Sequence, residues 1–326
     1  MTGRIYKELE LCSLILHGKI MKEKKYEKYL GDYIHKTGVV ESAEVTVKER
    51  CGKMFAAHRK IKAIVEDCRS TTLGGLKVGI DIWETAYIPS LLSNCSTWME
   101  LKQSTIDKLD DLQYSLYRNL LDVPFTTPKA ALIWEAGGKK MKFRIMMHKL
   151  LFMNHILHLG EDTLAKQIQV EQEKHNGNGL TMEVKEFVEH LSLPDCFEER
   201  ISIRKWKTLV KKAIAAANEK EIRESSKAYK KMINKIENGE KFKCKDYLSS
   251  LPLSQARTLF KHKYSMTEQV KMNYKGDPAY SKLLWKCQDC QNQDTEIHLL
   301  WCPAFKDIQN RLDLSSDNSL CNKNQM

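Results

Sequence analysis

The spacing of apolar residues constrains this fold more than any other feature of the sequence. Along most of the chain such residues recur at every third or fourth position, which places them on one side of an α-helix. We therefore expect a mainly α protein whose first long helix covers residues 42–67. The apolar side of that helix is formed by Val47, Cys51, Met54, Phe55, His58, Ile61 and Val65.

Two further helices follow from the same reasoning. One begins near Gly79 and contains Pro89, which predicts a kink because proline cannot donate the helical hydrogen bond. The next covers residues 104–121, with Ser104 as a candidate cap and Pro124 just beyond its end. Its leucines fall on a single stripe, formed by Leu109, Leu112, Leu116 and Leu120.

The middle of the chain predicts a buried helix and then a break. Residues 140–159 are strongly apolar, as expected of a helix surrounded by other elements. Residues 175–179 read His-Asn-Gly-Asn-Gly, a loop composition that makes them the best candidate for a domain boundary.

The clearest strand signal lies near the N-terminus. Residues 29–34 (YLGDYI) are the segment that looks most like a strand, residues 36–38 read Lys-Thr-Gly, and residues 39–40 are two valines. This order predicts a short β-hairpin in which Gly38 supplies a positive backbone angle in the turn.

The positive charge of the chain is concentrated in one segment. The net charge is +11, and residues 200–250 contain fifteen Lys or Arg against six Asp or Glu. The apolar periodicity continues here, so we expect a basic helical connector. Its lysines either form a solvated helix face or contact phosphates, and the imbalance favours a polyanionic partner, RNA or DNA. The candidate contacts are Arg204, Lys205, Lys207, Lys211, Lys212, Lys227, Lys230, Lys231 and Lys235.

A cysteine–histidine cluster near the C-terminus has the spacing of a zinc site. Cys287 and Cys290 are separated by two residues, and His298 and Cys302 lie four positions apart, on one side of a helix. Three thiolates and one imidazole are a common closed tetrahedral set for Zn²⁺. The alternative is three buried cysteines beside an incidental histidine. We expect one structural Zn²⁺, since a closed set leaves no position for a reactive water.

The first residues lack the pattern of a secretion signal. The short apolar patch at residues 9–16 is interrupted by Glu10 and is not followed by small residues. No apolar run approaches the length of a membrane span, and no motif indicates a small-molecule substrate. We expect an intracellular protein, in the nucleus or cytoplasm, with reduced cysteines and no membrane partner.

Four segments, in order, resemble the non-LTR (LINE-type) retrotransposon reverse transcriptases. Residues 28–32 (KYLGD) resemble the K-Y-L-G strand beyond the polymerase palm. Residues 83–92 contain YIPSLL, and with Thr-Trp at 97–98 they are similar to a thumb helix with I-P-x-L-L and a downstream T/E-T-W. Residues 112–128 (LQYSLYRNLLDVPFTTP) resemble L-Q-x-x-x-x-R-x-L-L-G-V-P-x-x-T-P. Residues 294–303 (DTEIHLLWCP) resemble D-T-x-x-H-L-L-x-C-P at the end of the family's cysteine–histidine motif.

The resemblance implies a thumb and a zinc-bearing region that hold RNA template or target DNA. With the periodicity and charge described above, it divides the chain into five parts. These are a residual palm-end hairpin (1–40), a thumb-like helical domain (41–174), the basic helical connector (180–280), a CCHC zinc module (281–314) and a disordered tail (315–326).

One departure from the family bears on catalysis. Reverse transcriptases carry an F/Y-x-D-D pair before K-Y-L-G, whereas residues 1–28 contain no aspartate. The one adjacent pair, Asp110 and Asp111, lies within a predicted helix, where a solvated face is expected. Two-metal phosphoryl transfer requires its carboxylates, so we expect no polymerase activity. Two alternatives stay open: a truncated gene model of an active RNA-directed DNA polymerase, and an element-derived protein-interaction module.

Overall fold

The computed structural model describes residues 24–264 except 37, 68–73, 176–178, 199, 230–231, 233–238 and 240, and it also gives the backbone of two short strands before residue 24. The helices are α1 (Val39–Asp67), α2 (Gly75–Ile82), α3 (Ile88–Leu91), α4 (Gln103–Leu121), α5 (Lys129–Ala136), α6 (Met141–Leu157), α7 (Leu164–His175), α8 (Leu180–His190), α9 (Ile203–Ser226), α10 (Tyr247–Ser250) and α11 (Leu253–Lys263). The prediction of a mainly α protein is confirmed.

In the part of the chain that the structure describes, four short strands form two antiparallel hairpins. The strands are β1 (Ile15–Leu16), β2 (Lys19–Ile20), β3 (Tyr26–Tyr29) and β4 (Asp32–His35), paired β1 with β2 and β3 with β4. The predicted hairpin is therefore present, but its turn was placed wrongly.

The turn lies at Leu30 and Gly31, whose φ angles are 47° and 92°. Two central residues with positive φ are typical of two-residue hairpin loops. Gly38 does have a positive φ, 143°, but it precedes α1, which begins where a second strand was predicted.

Arg50 of α1 fixes the β3–β4 hairpin against the first helices. Its guanidinium donates to the carbonyl oxygens of Gly31, Leu91 and Ser93, and to the Asp32 carboxylate at 2.7 Å. It also lies over the Trp98 ring, 5.4 Å from the centroid. One side chain thus joins three segments that are distant in sequence.

The larger hydrophobic cluster is formed mainly by α1, α2, α4 and α5, with further side chains from α9, α10 and α11. The four leucines predicted to share a stripe on α4 are all buried in it. The predicted cap at Ser104 is wrong, since α4 begins at Gln103 and Lys102 holds the cap position without a side-chain hydrogen bond. A π-helical turn, Trp83–Tyr87, joins α2 to α3 immediately before Pro89.

The second hydrophobic cluster is formed mainly by α6, α8 and α9. The helix predicted at residues 140–159 is observed as α6, and Phe143, Leu150 and Met153 are buried in this cluster. Both α8 and α9 pack against α6, so the cluster includes residues from both sides of residues 175–179. Among the residues described, no helix has the length and apolar character needed to cross a bilayer.

Candidate nucleic-acid interface

One side of α9 is fixed against the second hydrophobic cluster. Trp206 is fully buried, and its indole N–H donates to the carbonyl oxygen of Leu150 on α6 at 2.9 Å. Val210 and Ile214, four and eight positions later, are also fully buried. Because residues four apart lie on the same side of a helix, these three side chains determine which side faces solvent.

The opposite side of α9 carries only positive charge over its first half. It is formed by the exposed side chains of Arg204, Lys205, Lys207, Lys211 and Lys212, which we call the basic face. No Asp or Glu occurs between residues 203 and 218. Within the described part of the chain, none of the five cations forms an ion pair, so their charge is available to a ligand.

This arrangement is unfavourable for the helix itself. The N-terminal end of a helix dipole carries a partial positive charge, which favours acids in the first turn and disfavours cations there. The first turn of α9 contains no acid and includes Arg204 and Lys205. The cations of the basic face therefore do not stabilise the helix. An anion bound at this end would be stabilised both by the cations and by the helix dipole.

The second half of α9 has a different charge pattern. Glu219 pairs with Arg223 at 2.7 Å within the helix. Glu221 pairs with Lys140 at 2.9 Å and also with Lys142, which fixes α9 to the start of α6. Glu219 and Glu221 are thus paired with cations outside the basic face, while Glu224 is exposed and has no ion pair among the described residues. The basic face stays unneutralised.

Lys139 lies close to the basic face, although no sequence pattern marked it. Burial lowers the pKa of its ammonium, and the charges of Arg144 and Lys211 lower it further, while Glu84 opposes them. The charge of Lys211 on α9 therefore acts on Lys139, which lies in the loop between α5 and α6. The local signal that could have drawn attention to it is the run Gly137-Gly138-Lys139-Lys140.

The remaining predicted contacts and ligands are only partly described. Lys227 is exposed just after α9. Lys230, Lys231 and Lys235 lie outside the described residues, as do all four predicted zinc ligands, Cys287, Cys290, His298 and Cys302. Within the described ranges, no three His, Cys, Asp or Glu side chains are grouped so that they could hold a metal ion.

The adjacent aspartates of α4 have separate partners. Asp110 accepts the backbone N–H of Met141 at 2.8 Å and so helps to satisfy the start of α6, and burial raises its pKa to about 6. Asp111 is exposed and pairs with Lys129 at 2.5 Å. The expectation of a solvated pair is correct for Asp111 and wrong for Asp110, whose carboxylate is turned towards a helix terminus.

The fold and this surface define a mainly helical protein with a basic helix face. No protein-family model, no curated protein and no solved structure matches the chain.

Proposed function

We propose that this chain binds RNA or DNA as the part of a non-LTR retrotransposon reverse transcriptase that follows the palm, with the basic face of α9 as its main phosphate contact. The observation that carries the proposal is the set of five exposed cations with no acid among residues 203–218 and no ion pair within the described structure. The resemblance in sequence supplies the family, and the geometry of α9 supplies the surface.

The size of the basic face suits several phosphates of a nucleic acid. Arg204 and Lys212 are eight residues apart, which is about 12 Å along a helix at 1.5 Å per residue. A duplex presents a phosphate about every 3.4 Å along each strand, so four phosphates of one strand fit within about 12 Å, and the flexible side chains at the two ends of the face can reach a fifth. Such contacts give affinity and orientation but little choice of sequence. Lys227, Lys230, Lys231 and Lys235 would extend the same contact along the chain.

The proposed zinc module belongs to the same function. Cys287, Cys290, His298 and Cys302 would hold one Zn²⁺ and so stabilise a short segment that has too few residues for a core of its own. We expect one zinc per chain by metal analysis of the purified protein. The double variant Cys287→Ser, Cys290→Ser should lose it, whereas Cys95→Ser, which removes a cysteine of the larger core cluster, should retain it. A wild-type protein without zinc would contradict this part of the proposal.

Two variants with equal loss of charge test the basic face. The first replaces Lys207, Lys211 and Lys212 with glutamine, and the second replaces Lys53, Arg59 and Lys60, three exposed residues of α1 without ion pairs in the described structure. If each lost contact costs about 1 kcal/mol, the first variant should bind labelled single-stranded RNA and duplex DNA about 100-fold more weakly at fixed salt. The second should bind within a few-fold of the wild type.

The other outcomes separate the alternatives. Equal weakening in both variants would mean that net charge, and not the basic face, controls binding. Absence of binding by the wild-type chain would leave a protein-interaction role as the better account of its exposed surface. Primer extension by the wild-type chain would contradict the expectation that it lacks polymerase activity.

A further inference from the structure

A cavity of about 200 Å³ lies beside the larger hydrophobic cluster, at the loop between α5 and α6. It is lined by residues of α2, the π-helical turn, the loop between α5 and α6, the start of α6, and Cys244. Pockets for drug-sized ligands have volumes of about 300–1,000 Å³. This cavity therefore has room for one ionic group or a few waters, and not for a whole nucleotide.

The charged groups in the wall leave one cation without a partner. Lys77 is paired with Asp81, and Arg144 forms a two-bond ion pair with Glu84 at 2.6 and 2.8 Å. The fifth charged residue of the wall, Lys139, has no carboxylate partner among the described residues. The uncompensated charge of the wall is thus positive, which favours an anion as the occupant.

The backbone around Lys139 is held firmly in place. Its carbonyl oxygen accepts from Gln113 at 3.1 Å and from Arg144 Nε at 3.2 Å. On either side of it, Asn218 of α9 donates to the carbonyl oxygen of Gly138 and accepts the N–H of Lys140. The half-buried ammonium is therefore presented from a fixed loop, which lowers the ordering cost of binding a ligand.

A buried hydroxyl group without a hydrogen-bond partner among the described residues, that of Tyr117, lies behind Gly138 and does not line the cavity. Tyr117 is 1 % exposed, and its hydroxyl has no hydrogen-bond partner in the described structure. A Cβ at Gly138, which lines the cavity, would lie 2.7 Å from the Tyr117 hydroxyl oxygen. A ligand in the cavity therefore meets Lys139 and Arg144, and not this hydroxyl.

We propose that this cavity binds a single phosphate group, with the Lys139 ammonium as the donor and Arg144 as a second positive charge. Arg144 contributes charge more than new hydrogen bonds, because Glu84, Gln113 and the Lys139 carbonyl already accept from it. The phosphate has two possible sources. One is the 5′ end of a bound nucleic-acid strand, and this source rests on the proposed function; the other is free inorganic phosphate.

The first test uses inorganic phosphate alone, at constant ionic strength and at low millimolar concentration, where general salt effects on stability are small. Phosphate should raise the melting temperature of the full chain in a saturable way and shift its own ³¹P resonance. Lys139→Gln should raise the dissociation constant about tenfold or more, while Lys53→Gln leaves it unchanged. A wild type without saturable binding, or with binding equal to that of Lys139→Gln, overturns the proposal.

Tyr117→Phe provides a control next to the cavity wall. Removal of the unpaired hydroxyl should leave the melting temperature without phosphate unchanged or raised. The same variant should leave the dissociation constant for phosphate unchanged, because Tyr117 does not line the cavity. A loss of phosphate affinity in Tyr117→Phe as large as that in Lys139→Gln would contradict the assignment of the site to this cavity.

Matched oligonucleotides with a 5′-phosphate or a 5′-hydroxyl identify the source. If the wild type prefers the phosphorylated strand and Lys139→Gln does not, the ligand is a strand end. If the wild type binds both oligonucleotides equally and still binds inorganic phosphate, the ligand is the free ion. The α9 triple variant separates the two proposals, since it should lose nucleic acid and keep inorganic phosphate.

Discussion

Replacing Glu183 with leucine is expected to destabilise the protein by about 3 kcal/mol or more. Glu183 of α8 is the carboxylate partner of Lys149 of α6, whose side chain is almost completely buried. Removing one partner of a buried ion pair leaves the other charge without compensation, which typically costs 3–5 kcal/mol. Glu183 also accepts the backbone N–H of Glu100 at 2.6 Å, so the same change removes a second hydrogen bond.

The double variant Lys149→Met, Glu183→Leu separates these two effects. It removes both charges, so most of the lost stability should return, and only the contribution of the Glu100 hydrogen bond, about 1 kcal/mol, should stay lost. Urea unfolding of the wild type, both single variants and the double variant gives the coupling energy. If the two single variants lose stability by amounts that add up to the loss in the double variant, Glu183 does not stabilise the charge of Lys149.

Acid is expected to destabilise the protein through His58. This residue of α1 is 2 % exposed, both of its ring nitrogens lack partners in the described structure, and burial lowers its pKa to about 4. Above pH 6.5 the imidazole is neutral in both the folded and the unfolded states, so it causes no pH dependence there. As the pH falls from 6.5 to 4, the unfolded state binds the proton and the folded state does not. The contribution of His58 alone should therefore lower the free energy of unfolding by about 2 kcal/mol by pH 5 and by about 3 kcal/mol by pH 4.

The difference between the wild type and His58→Leu isolates this contribution. Asp110 acts in the opposite direction, because a carboxyl group with a pKa raised to about 6 stabilises the folded state as the pH falls. Its contribution is common to both proteins and cancels in the difference. The free-energy gap should grow in favour of His58→Leu between pH 7 and pH 5. A gap that is independent of pH would contradict the assignment of a neutral, buried His58.

The helices could be predicted because their signal is local. The apolar stripe of α4 and the apolar side of α1 need only the residues of one helix, so Leu116 and Ile61 could be assigned to the core from their spacing alone. The side of α9 that faces the core could be predicted in the same way, through Val210 and Ile214. That prediction also places Lys211 and Lys212 in solvent.

The hairpin turn could not be predicted in this way. Leucine rarely adopts a positive φ, so the pattern of residues 29–34 favoured an uninterrupted strand. In the structure the turn at Leu30 and Gly31 is held from outside, since Arg50 donates to the carbonyl oxygen of Gly31 and to Asp32. A distant side chain thus outweighs the local preference of the residues in the turn.

The phosphate cavity could not be predicted for a related reason. Lys77, Glu84, Lys139 and Cys244 come from four segments of the chain and meet only after α2, α5 and α6 have packed. Each of these residues is ordinary in its local sequence. The unpaired state of Lys139 is a property of the folded structure, because it depends on Asp81 and Glu84 having other partners.

The salt dependence of nucleic-acid binding tests the central claim most directly. If the five cations of the basic face each contact a phosphate, the slope of log K against log salt should be about −3.5 for single strands and about −4.5 for duplex DNA. The Lys207, Lys211, Lys212 triple variant should make the slope less steep by about two to three, and the α1 triple variant should leave it unchanged. Slopes that stay equal in all three proteins would contradict the account.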